Sequence, residues 1–399
     1  MSASNASKVD LAVLGGGIIG LSVAWRARLL GMSVALLERD ELGSGATHVA
    51  AGMLAPVAEV EFGEAGRRVL EIGVRSAGMW PDFAAELEQA TGIEVGLRRM
   101  GTLVVARDED EARELERQLA FRESLGLRAL RLRASEARER EPSLAPTVRL
   151  ALEAPEDHSV DPRRVVTALR RACELEGVLV CEHTHVHGLE LDADAKRVVG
   201  VRVSRRWADD VEAVGVADGD VLEDRACESI YARDVVVAMG AWSGGLPGLP
   251  EAARVPVRPV KGQIMRLCDP AGPGLLERVV RFEGGYLVPR GDGRYVLGAT
   301  MEERGFEPCA TAGGVYELLR EGHELVPGLS ELRIEELGVG YRPGTPDNAP
   351  VIGPGALGGL IWATGHHRNG ILLAPLTAEL VTRLLLGNET RNEAISSSS

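Results

Sequence analysis

Apolar positions near the start of the chain follow the two spacings that distinguish strands from helices. Residues 9–14 form a continuous apolar run with β-branched members, and residues 33–38 form a second run that ends in Glu38. Between them, residues 21–31 carry apolar side chains at helical spacing up to Gly31. Because continuous apolar runs are typical of buried parallel strands, this order predicts strand, turn, helix and strand, the opening of an α/β fold.

The next part of the chain alternates helical and extended patterns. Residues 64–91 and 108–127 each carry apolar side chains on one face among charged residues. Asp108 stands where its carboxylate can accept hydrogen bonds from the first amides of the second of these helices. Residues 100–108 have the pattern of a strand, and residues 159–180 predict a helix that leads into a strand.

Strand patterns dominate the second half of the chain. Two of them flank an Asp-Ala-Asp turn at residues 192–194, and another pair flanks the Gly-Asp-Gly turn at residues 291–293, which predicts a hairpin. In chain order the predicted segments are a meander at 185–192 and 197–204, a buried parallel strand into a Gly-rich turn at 234–246, a hairpin at 286–300, a strand at 359–364, a turn at 365–370 and a helix at 371–387.

Composition and charge restrict the function classes. The chain has 399 residues, 45% of them hydrophobic, and a net charge of −14, so binding through nucleic-acid phosphates is not expected. The first eight residues lack the apolar core of a signal peptide, and no run approaches the roughly 18 apolar residues of a bilayer span. The five cysteines lack metal-binding spacing, which predicts a cytoplasmic protein with no metal site.

The glycines after the first strand carry a specific signal. Gly15 permits a tight turn, Gly17 allows a pyrophosphate to approach the backbone, and Gly20 lets the helix pack closely on the strand. Glu38 closes the second strand, where a carboxylate can accept hydrogen bonds from ribose hydroxyls. Because strand, turn, helix, strand and acid follow in order, the segment predicts a dinucleotide site. The alternative is a Gly-rich turn in another α/β unit.

The GHHRNG segment near the C-terminal end joins a strand to a helix. Asn369 can cap that helix, and Pro375 is tolerated in its first turns. A helix N-terminus at this position could stabilise negative charge on a bound group. The alternative is a plain strand, turn and helix in which the solvated side chains are those of His366, His367 and Arg368.

Two further residues are candidates for substrate binding. Arg342 stands in a turn-rich segment, and its planar guanidinium can bind a carboxylate through two parallel hydrogen bonds. Tyr286 starts a hairpin strand, with Val288 and Arg290 on the same face. On pattern alone, a surface ion pair is the favoured interpretation of Arg342, and a core or interface aromatic is the favoured interpretation of Tyr286.

These segments together resemble the D-amino-acid oxidase family of flavoproteins, and most closely the bacterial glycine oxidases of thiamine biosynthesis. The resemblance rests on VLGGGIIGLSVAWRARLLGMSVALLERD, AAGMLAP, YLVPRGDGRYVLGAT, GYRPGTPDNAPVIG and GHHRNGILLAP, which occur in family order along nearly the whole chain. It implies an FAD cofactor and oxidative deamination of glycine, with sarcosine and small D-amino acids as further substrates. Because no cysteine follows Cys309, we expect the FAD to be bound noncovalently.

The resemblance also implies roles for individual residues. Arg342 would pair with the substrate carboxylate and Tyr286 would hydrogen-bond it, while Met53, Met301 and Arg368 would border the substrate pocket. Gly284 and Gly285 precede Tyr286 where relatives often carry bulkier residues, so the pocket is expected to be wider. The residues expected to bind FAD are Gly15, Gly17, Ile18, Ile19, Gly20, Glu38, Arg39, Thr47, Ala50, Ala51, Gly52, Met53, Gly240, Trp242, Arg368, Asn369, Gly370, Ile371 and Leu372.

The expected architecture is a mixed α/β fold with a discontinuous, Rossmann-like FAD-binding domain and a β-rich substrate domain of mixed or antiparallel sheet plus helices. The first domain would comprise residues 8–92, 153–247 and 334–399, and the second 93–152 and 248–333. The expected partners are a small amino acid and dioxygen, without nucleic acid or membrane, and a homo-oligomer is allowed. Alternatives are a general D-amino-acid oxidase or dehydrogenase, a sarcosine oxidase-like enzyme, and a nucleotide-binding protein without catalytic activity.

Overall fold

Two large sheets organise the protein in the computed structural model, which describes residues 8–205 and 227–396. The expectation about a signal peptide falls on the first eight residues, and all of these except Lys8 lie outside the described part. Within the described ranges, no helix is long and apolar enough to cross a membrane.

The described elements alternate strands and helices in the first half of the chain and are mostly strands in the second half. The strands are β1 Lys8–Leu14, β2 Val34–Leu37, β3 Met53–Leu54, β4 Thr102–Ala106, β5 Leu130–Arg133, β6 Leu150–Ala154, β7 His158–Ser159, β8 Leu179–Cys181, β9 Thr184–Leu191, β10 Val198–Arg205, β11 Glu228–Val237, β12 Arg258–Cys268, β13 Val279–Phe282, β14 Gly285–Pro289, β15 Arg294–Gly298, β16 Arg333–Gly344, β17 Val351–Pro354 and β18 Leu360–Thr364. The helices are α1 Ile18–Leu29, α2 Ala46–Val49, α3 Gly63–Thr91, α4 Glu109–Ser124, α5 Ala134–Arg140, α6 Pro162–Leu175, α7 Ala312–Leu325 and α8 Ala374–Ser396, with 3-10 turns at Gly240–Gly245, Glu251–Ala253, Pro327–Glu331 and His367–Asn369.

The first sheet has the order β17-β18-β11-β1-β2-β8, and β10 and β9 extend it from β11. Strand β1 runs parallel to both β2 and β11, and β11 runs parallel to β18. Buried residues of α1, α3, α6 and α8 share one hydrophobic core with this sheet. The first sheet therefore has the predicted Rossmann-like construction, assembled from the start, middle and end of the chain.

The second sheet has the order β16-β12-β15-β14-β13-β4-β6-β5 and is antiparallel except where β13 runs parallel to β4. It includes all of β6 and β16, whereas the expected domain division assigned residues 153–154 and 334–344 to the FAD-binding domain. The long pairing of β16 with β12 is the reason for this difference. We therefore propose that the domain boundaries lie at the ends of β6 and β16.

The helix predicted for residues 108–127 is confirmed as α4, with the Asp108 carboxylate accepting hydrogen bonds from the amides of Asp110 and Glu111 at 2.9 Å. The predicted capping role of Asn369 is wrong. Asn369 ends the 3-10 turn, and α8 begins five residues later at Ala374. The turn continues because the Asn369 carbonyl accepts a hydrogen bond from the Leu373 amide at 2.8 Å. Pro375 lies in the first turn of α8, as predicted.

Candidate active site

A cleft of about 1230 Å³ is lined by residues of both sheets. One side consists of the turn after β1, the end of β2 and the segment from α2 to β3, all at the carboxyl ends of the parallel strands. The other side consists of β14, the loop after β15 and strand β16. Ligands of parallel α/β sheets bind at this end of the strands, so the topology itself selects the position of the cleft.

The turn between β1 and α1 is tightly packed around its glycines. Gly15 has φ of +101°, and a Cβ atom there would lie 2.5 Å from the carbonyl oxygen of Ala238. A Cβ atom at Gly20 would lie 1.9 Å from the carbonyl oxygen of Gly15. Neither position can therefore hold a larger residue without moving the backbone. Gly20 contributes close helix–strand packing, and it does not line the cleft.

The start of α1 and the end of β2 meet at one end of the cleft. Gly17 precedes the helix without a side-chain cap, and the Ile18 amide donates to Thr47 Oγ1 at 3.1 Å. The Glu38 carboxylate accepts hydrogen bonds from the Gly16 amide at 2.6 Å and the Asp40 amide at 2.9 Å. This end therefore combines a helix N-terminus with a carboxylate held beside it.

Aromatic side chains bridge the two sides of the cleft near Arg39. The Arg39 guanidinium lies 4.6 Å from the ring centre of Trp242, and the Trp242 ring stacks on Phe306 with centres 4.9 Å apart. The Tyr341 ring packs edge-on against both rings. Phe306 belongs to the loop after β15, so this stack links the first sheet to the loop that covers the second.

The turn after β18 buries both of its histidines. His366 is 2% exposed and its Nε2 lies 2.9 Å from Thr377 Oγ1, and His367 is 8% exposed. Burial lowers the pKa of His366 to about 3. Burial, together with the positive charges of Arg342 and Arg258, lowers the pKa of His367 to about 4. Both imidazoles are therefore neutral at physiological pH, and the reading in which they are solvated is wrong.

The remaining residues of this turn point in different directions. Arg368 lines the cleft and forms an ion pair with Glu61. Gly370 and Ile371 also line the cleft, and within the described chain their amides have no backbone acceptor. Asn369 and Leu372 instead line a small neighbouring pocket. The carbonyl of Leu372 accepts hydrogen bonds from the side chains of Ser76 and Trp80, which fixes the turn against α3.

Arg342 and Tyr286 come together at the end of the cleft that lies on the second sheet. Both side chains line this cleft, and the positive charge of Arg342 acts on the pKa of the Tyr286 phenol, although β16 and β14 are separated by β12 and β15. Glycines in the two intervening strands make room for them. A Cβ atom at Gly262 would lie 2.4 Å from an Arg342 nitrogen, and one at Gly298 would lie 2.8 Å from the Tyr286 hydroxyl.

The hydrogen bonds of Arg342 leave most of its fork available. One guanidinium nitrogen donates to the Thr300 carbonyl at 3.1 Å and to the Lys261 carbonyl at 3.4 Å. Among the described residues, Arg342 has no carboxylate partner, so the surface ion pair considered from the sequence is not formed. Burial raises the pKa of the Tyr286 phenol more than the positive charge of Arg342 lowers it. Tyr286 therefore remains a hydrogen-bond donor at neutral pH.

The residues expected to border a substrate differ in exposure. Met53 is half-buried in β3, whereas Met301 lines the cleft with 67% of its surface exposed, which places it at the mouth. A Cβ atom at Gly284 would meet no atom within 4 Å, so this part of the cleft is open. A Cβ atom at Gly285 would lie 2.7 Å from the Gly298 carbonyl, so Gly285 is needed for strand packing.

Most of the residues selected from the sequence line this cleft. The exceptions are Gly20, Asn369 and Leu372, and the residues that do line it are Gly15, Gly17, Ile18, Ile19, Glu38, Arg39, Thr47, Ala50, Ala51, Gly52, Met53, Gly240, Trp242, Tyr286, Met301, Arg342, Arg368, Gly370 and Ile371.

Several cleft residues were missed from the sequence. Arg281 of β13 pairs across the sheet with Tyr286, and its Nε lies 3.6 Å from a carboxylate oxygen of Glu59. Gly262 and Thr300 support Arg342, as described above. The only sequence signal for Gly262 is a glycine inside an apolar strand pattern, which indicates close approach of another group. Glu59 and Arg281 have no distinguishing local pattern.

Comparisons with known proteins find a matching family and similar proteins. The model of a family described as FAD dependent oxidoreductase (DAO) matches residues 10–384. A glycine oxidase of Geobacillus kaustophilus is 33% identical over 96% of this chain and 94% of that protein. The crystal structure of glycine oxidase from Geobacillus kaustophilus superposes with a TM-score of 0.82 at 31% identity, covering 95% of each chain.

A bifunctional relative is longer than this chain. The bifunctional protein ThiO/ThiG of Synechocystis is 36% identical over 94% of this chain but only 51% of its own length. The chain thus spans about half the length of that relative.

Proposed function

Because this chain belongs to the DAO family of FAD dependent oxidoreductases, we propose that it is an oxidase that converts glycine to its imine. Hydrolysis of the imine gives glyoxylate and ammonia, and dioxygen takes up the two electrons and two protons as hydrogen peroxide. The observation that carries the proposal is that Arg342 and Tyr286 line the same cleft and that the Arg342 guanidinium has no carboxylate partner among the described residues. Similarity to glycine oxidases over nearly the full chain supports it.

The cleft fits the FAD that the family uses. An added Cβ atom at Gly240 would meet no atom within 4 Å, and one at Gly17 would touch only the Thr47 hydroxyl. Both positions therefore leave space beside the backbone. At the other end, the amides of Gly370 and Ile371 lack backbone acceptors within the described chain and could donate to an oxygen-rich ring edge. A cleft of about 1230 Å³ exceeds the usual volume of a small-molecule pocket, as a dinucleotide with a substrate requires.

We assign the adenosine and phosphate half of FAD to the Gly15 turn, the N-terminus of α1 and Glu38. Uncapped helix amides and the helix dipole favour phosphate oxygens, and a carboxylate accepts hydrogen bonds from ribose hydroxyls. Thr47, Gly52 and Gly370 also line the cleft. When bound, FAD supplies the two-electron oxidation of the substrate Cα–N bond.

The substrate carboxylate is proposed to bind Arg342 and Tyr286. The free part of the Arg342 fork can donate two parallel hydrogen bonds, and the neutral Tyr286 hydroxyl can donate a third. The carboxylate is then fixed at one point of the cleft, which limits where the Cα atom can lie. Positioning of this kind removes much of the entropic barrier of a bimolecular reaction.

The two histidines of the turn after β18 do not act as charged acids in this proposal. His366 and His367 stay neutral because burial holds their pKa values near 3 and 4. Catalysis then depends on a substrate whose amine has already lost its proton and on its orientation, rather than on a protein base. The role of the chain is to bind the carboxylate, exclude water and present the Cα–H bond.

A second candidate is a broader oxidase of small and medium D-amino acids. The open space at Gly284 and the exposed position of Met301 favour it, because both reduce the steric limit on the substrate side chain. Each extra methylene in an apolar pocket changes specificity by only about 1–3 kcal/mol, so alanine-sized substrates are expected to react weakly.

The physiological role is also a proposal. The naming of a longer relative as bifunctional ThiO/ThiG supports delivery of the imine to thiazole synthesis for thiamine. Dioxygen as electron acceptor, a cytoplasmic location and a homo-oligomeric assembly stay predictions.

The test is release of hydrogen peroxide by the purified flavoprotein with glycine, sarcosine, D-alanine, D-proline and D-phenylalanine. We expect glycine and sarcosine to have the highest kcat/KM, D-alanine to be lower and D-phenylalanine to be close to background. If D-phenylalanine is the best of the five substrates, the small-substrate proposal is wrong and the broader oxidase replaces it. Flavin reduction by glycine without peroxide formation would instead indicate a dehydrogenase with another acceptor.

A further inference from the structure

Lys261 in β12 is unusual for its burial and for its residue type. Its side chain is 0% exposed, next to the cleft residue Gly262. The chain contains only three lysines among its 45 basic residues, and the other two are Lys8 and Lys196. A chain that uses arginine almost everywhere thus has a lysine at a fully buried position. A compact ammonium with three donors fits such a site better than a broad planar guanidinium.

The Lys261 ammonium binds the loop that follows β15. Its Nζ donates to Glu307 Oε2 at 2.9 Å and to the Cys309 carbonyl at 2.7 Å, and it lies 3.8 Å from Glu302 Oε2. The main chains of Lys261 and Glu302 also exchange two hydrogen bonds of 2.9 Å. Residues 299–311 form this loop, hereafter the 299–311 loop, and it carries Met301 and Phe306 over the cleft.

Gln263, two residues along the same strand face, holds both ends of the 299–311 loop. Its side-chain nitrogen Nε2 donates to Glu302 Oε1 at 2.7 Å and to Thr311 Oγ1 at 3.1 Å, and its side-chain oxygen Oε1 accepts from the Thr311 backbone amide at 2.9 Å. Its backbone amide donates to Thr300 Oγ1 at 2.9 Å. Gln263 is 1% exposed, so these bonds are protected from water.

Two carboxylates surround the buried Lys261 ammonium. Burial alone would raise the pKa of the Glu302 carboxyl, but hydrogen bonds from Thr300 and Gln263 and the charge of Lys261 hold it below its usual value. Glu302 and Glu307 therefore supply negative charge to a buried cation. A buried ammonium that loses such partners is strongly destabilised, so the 299–311 loop and Lys261 hold each other in place.

The same two segments supply the hydrogen-bond acceptors of Arg342 within the described chain. One nitrogen of Arg342 donates to the carbonyls of Thr300 and Lys261, which belong to the two segments that Lys261 and Gln263 join. The position of these carbonyls sets the direction of the guanidinium fork. A shift of the 299–311 loop would therefore move both the mouth residue Met301 and the group that we assign to substrate binding.

We propose that Lys261 and Gln263 are positioning residues that clamp the 299–311 loop to β12 and thereby orient Arg342 for the substrate carboxylate. The assignment of Arg342 in this inference rests on the function proposed above. The clamp predicts that loss of the Lys261 charge weakens carboxylate binding and loosens the loop, while the FAD end of the cleft is unchanged.

The first experiment uses the holoenzyme variants Lys261→Met and Lys196→Met. Lys196 is an exposed lysine in the turn between β9 and β10, and it serves as the matched control. For Lys261→Met we expect a rise of about tenfold or more in KM for glycine and in the Kd for acetate, measured by the change in flavin absorbance, with kcat within about threefold. Lys196→Met should match the wild type in all three quantities.

A second readout is independent of catalysis. Arg304 in the 299–311 loop has a side chain that is 60% exposed, so the bond after it is a trypsin site when the loop is released. We expect limited trypsin digestion of Lys261→Met to cut after Arg304 at least several-fold faster than in the wild type, as identified by fragment mass. If Lys261→Met has a lower melting temperature but wild-type acetate affinity and wild-type cleavage after Arg304, the proposal is overturned and Lys261 is only structural.

A third variant keeps the test valid if Lys261→Met does not fold. Glu307→Gln lies in the exposed loop and removes one negative partner of Lys261 without changing size. Like Lys261→Met, it should raise KM for glycine and the rate of trypsin cleavage after Arg304. The double variant should differ little from Lys261→Met alone, because both substitutions act on one contact. If the effects of Glu307→Gln and Lys261→Met on KM add fully in the double variant, the clamp is overturned. If the wild type does not oxidise glycine, the proposed function fails, whereas trypsin cleavage still tests the clamp.

Discussion

At the scale of single residues, Arg342 differs from the other cationic side chains of the cleft in its partners. Arg368 is paired with Glu61, Arg281 with Glu59 and Arg304 with Glu302 and Glu307. Arg342 donates only to carbonyl oxygens within the described chain. A guanidinium in a partly desolvated site without a counter-ion is suited to an incoming carboxylate, because the substrate then supplies the missing charge.

The first prediction concerns the removal of this charge. Arg342→Ala should raise KM for glycine by roughly 30-fold or more, since a charge-assisted pair in a water-poor site contributes on the order of 2–4 kcal/mol. Arg342→Lys should recover only part of the loss, because an ammonium cannot form the planar fork. Steady-state kinetics and FAD content are the measurements. Unchanged glycine kinetics in Arg342→Ala would show that this residue does not bind the substrate.

At the scale of elements, the position of Arg342 depends on the strand beside it. Gly262 of β12 pairs with Gly340 of β16, and the Arg342 guanidinium lies over Gly262. The nearest atoms to a Cβ at Gly262 are the terminal atoms of Arg342, at 2.4–2.7 Å, rather than backbone atoms. A methyl group here would therefore displace a flexible side chain and leave the strands paired.

The second prediction follows from this contact. Gly262→Ala should keep its FAD and lose little thermal stability, but KM for glycine should rise by about tenfold, as expected for about 1–3 kcal/mol of overpacking at the guanidinium. Gly353→Ala in β17 is the control, because a Cβ atom there meets nothing within 4 Å. Equal kinetics of the two alanine variants would contradict the proposed dependence of Arg342 on Gly262.

At the scale of the whole molecule, the cleft joins the two sheets that carry separate hydrophobic cores. Its walls come from the β1–α1 turn in one sheet and from strands β14 and β16 in the other. A ligand that fills it contacts both sheets at once. Binding to the folded state alone stabilises that state by mass action, so the cofactor is expected to contribute to the stability of the entire protein.

The third prediction concerns removal of the cofactor. Acid or heat denaturation should release all of the FAD into the supernatant, because no cysteine follows Cys309 and we expect the cofactor to be bound noncovalently. Apoprotein should melt on the order of a few °C below holoprotein, and added FAD should restore the difference. Flavin absorbance that stays with the denatured polypeptide would disprove noncovalent binding. An unchanged melting temperature would show that the cofactor does not connect the two sheets.

The local patterns of the chain determined the opening strand, helix and strand of the first sheet and one end of the cleft. The dinucleotide turn, its glycines, Glu38 and the capped helix α4 depend on contacts within a few residues or one βαβ unit, so sequence spacing describes them fully. The resemblance to a family added Arg342 and Tyr286 as substrate-binding residues, whereas their patterns alone favoured a surface ion pair and a core or interface aromatic.

Tertiary structure decided the rest. Arg342 and Tyr286 meet only because β12 and β15 lie between their strands and both have glycine at the crossing points. The burial of His366 and His367 and the hold of Lys261 on the 299–311 loop also arise from packing between segments far apart in the chain. Long-range strand pairing has no local signature, since each partner strand is compatible with many neighbours until the whole sheet is assembled.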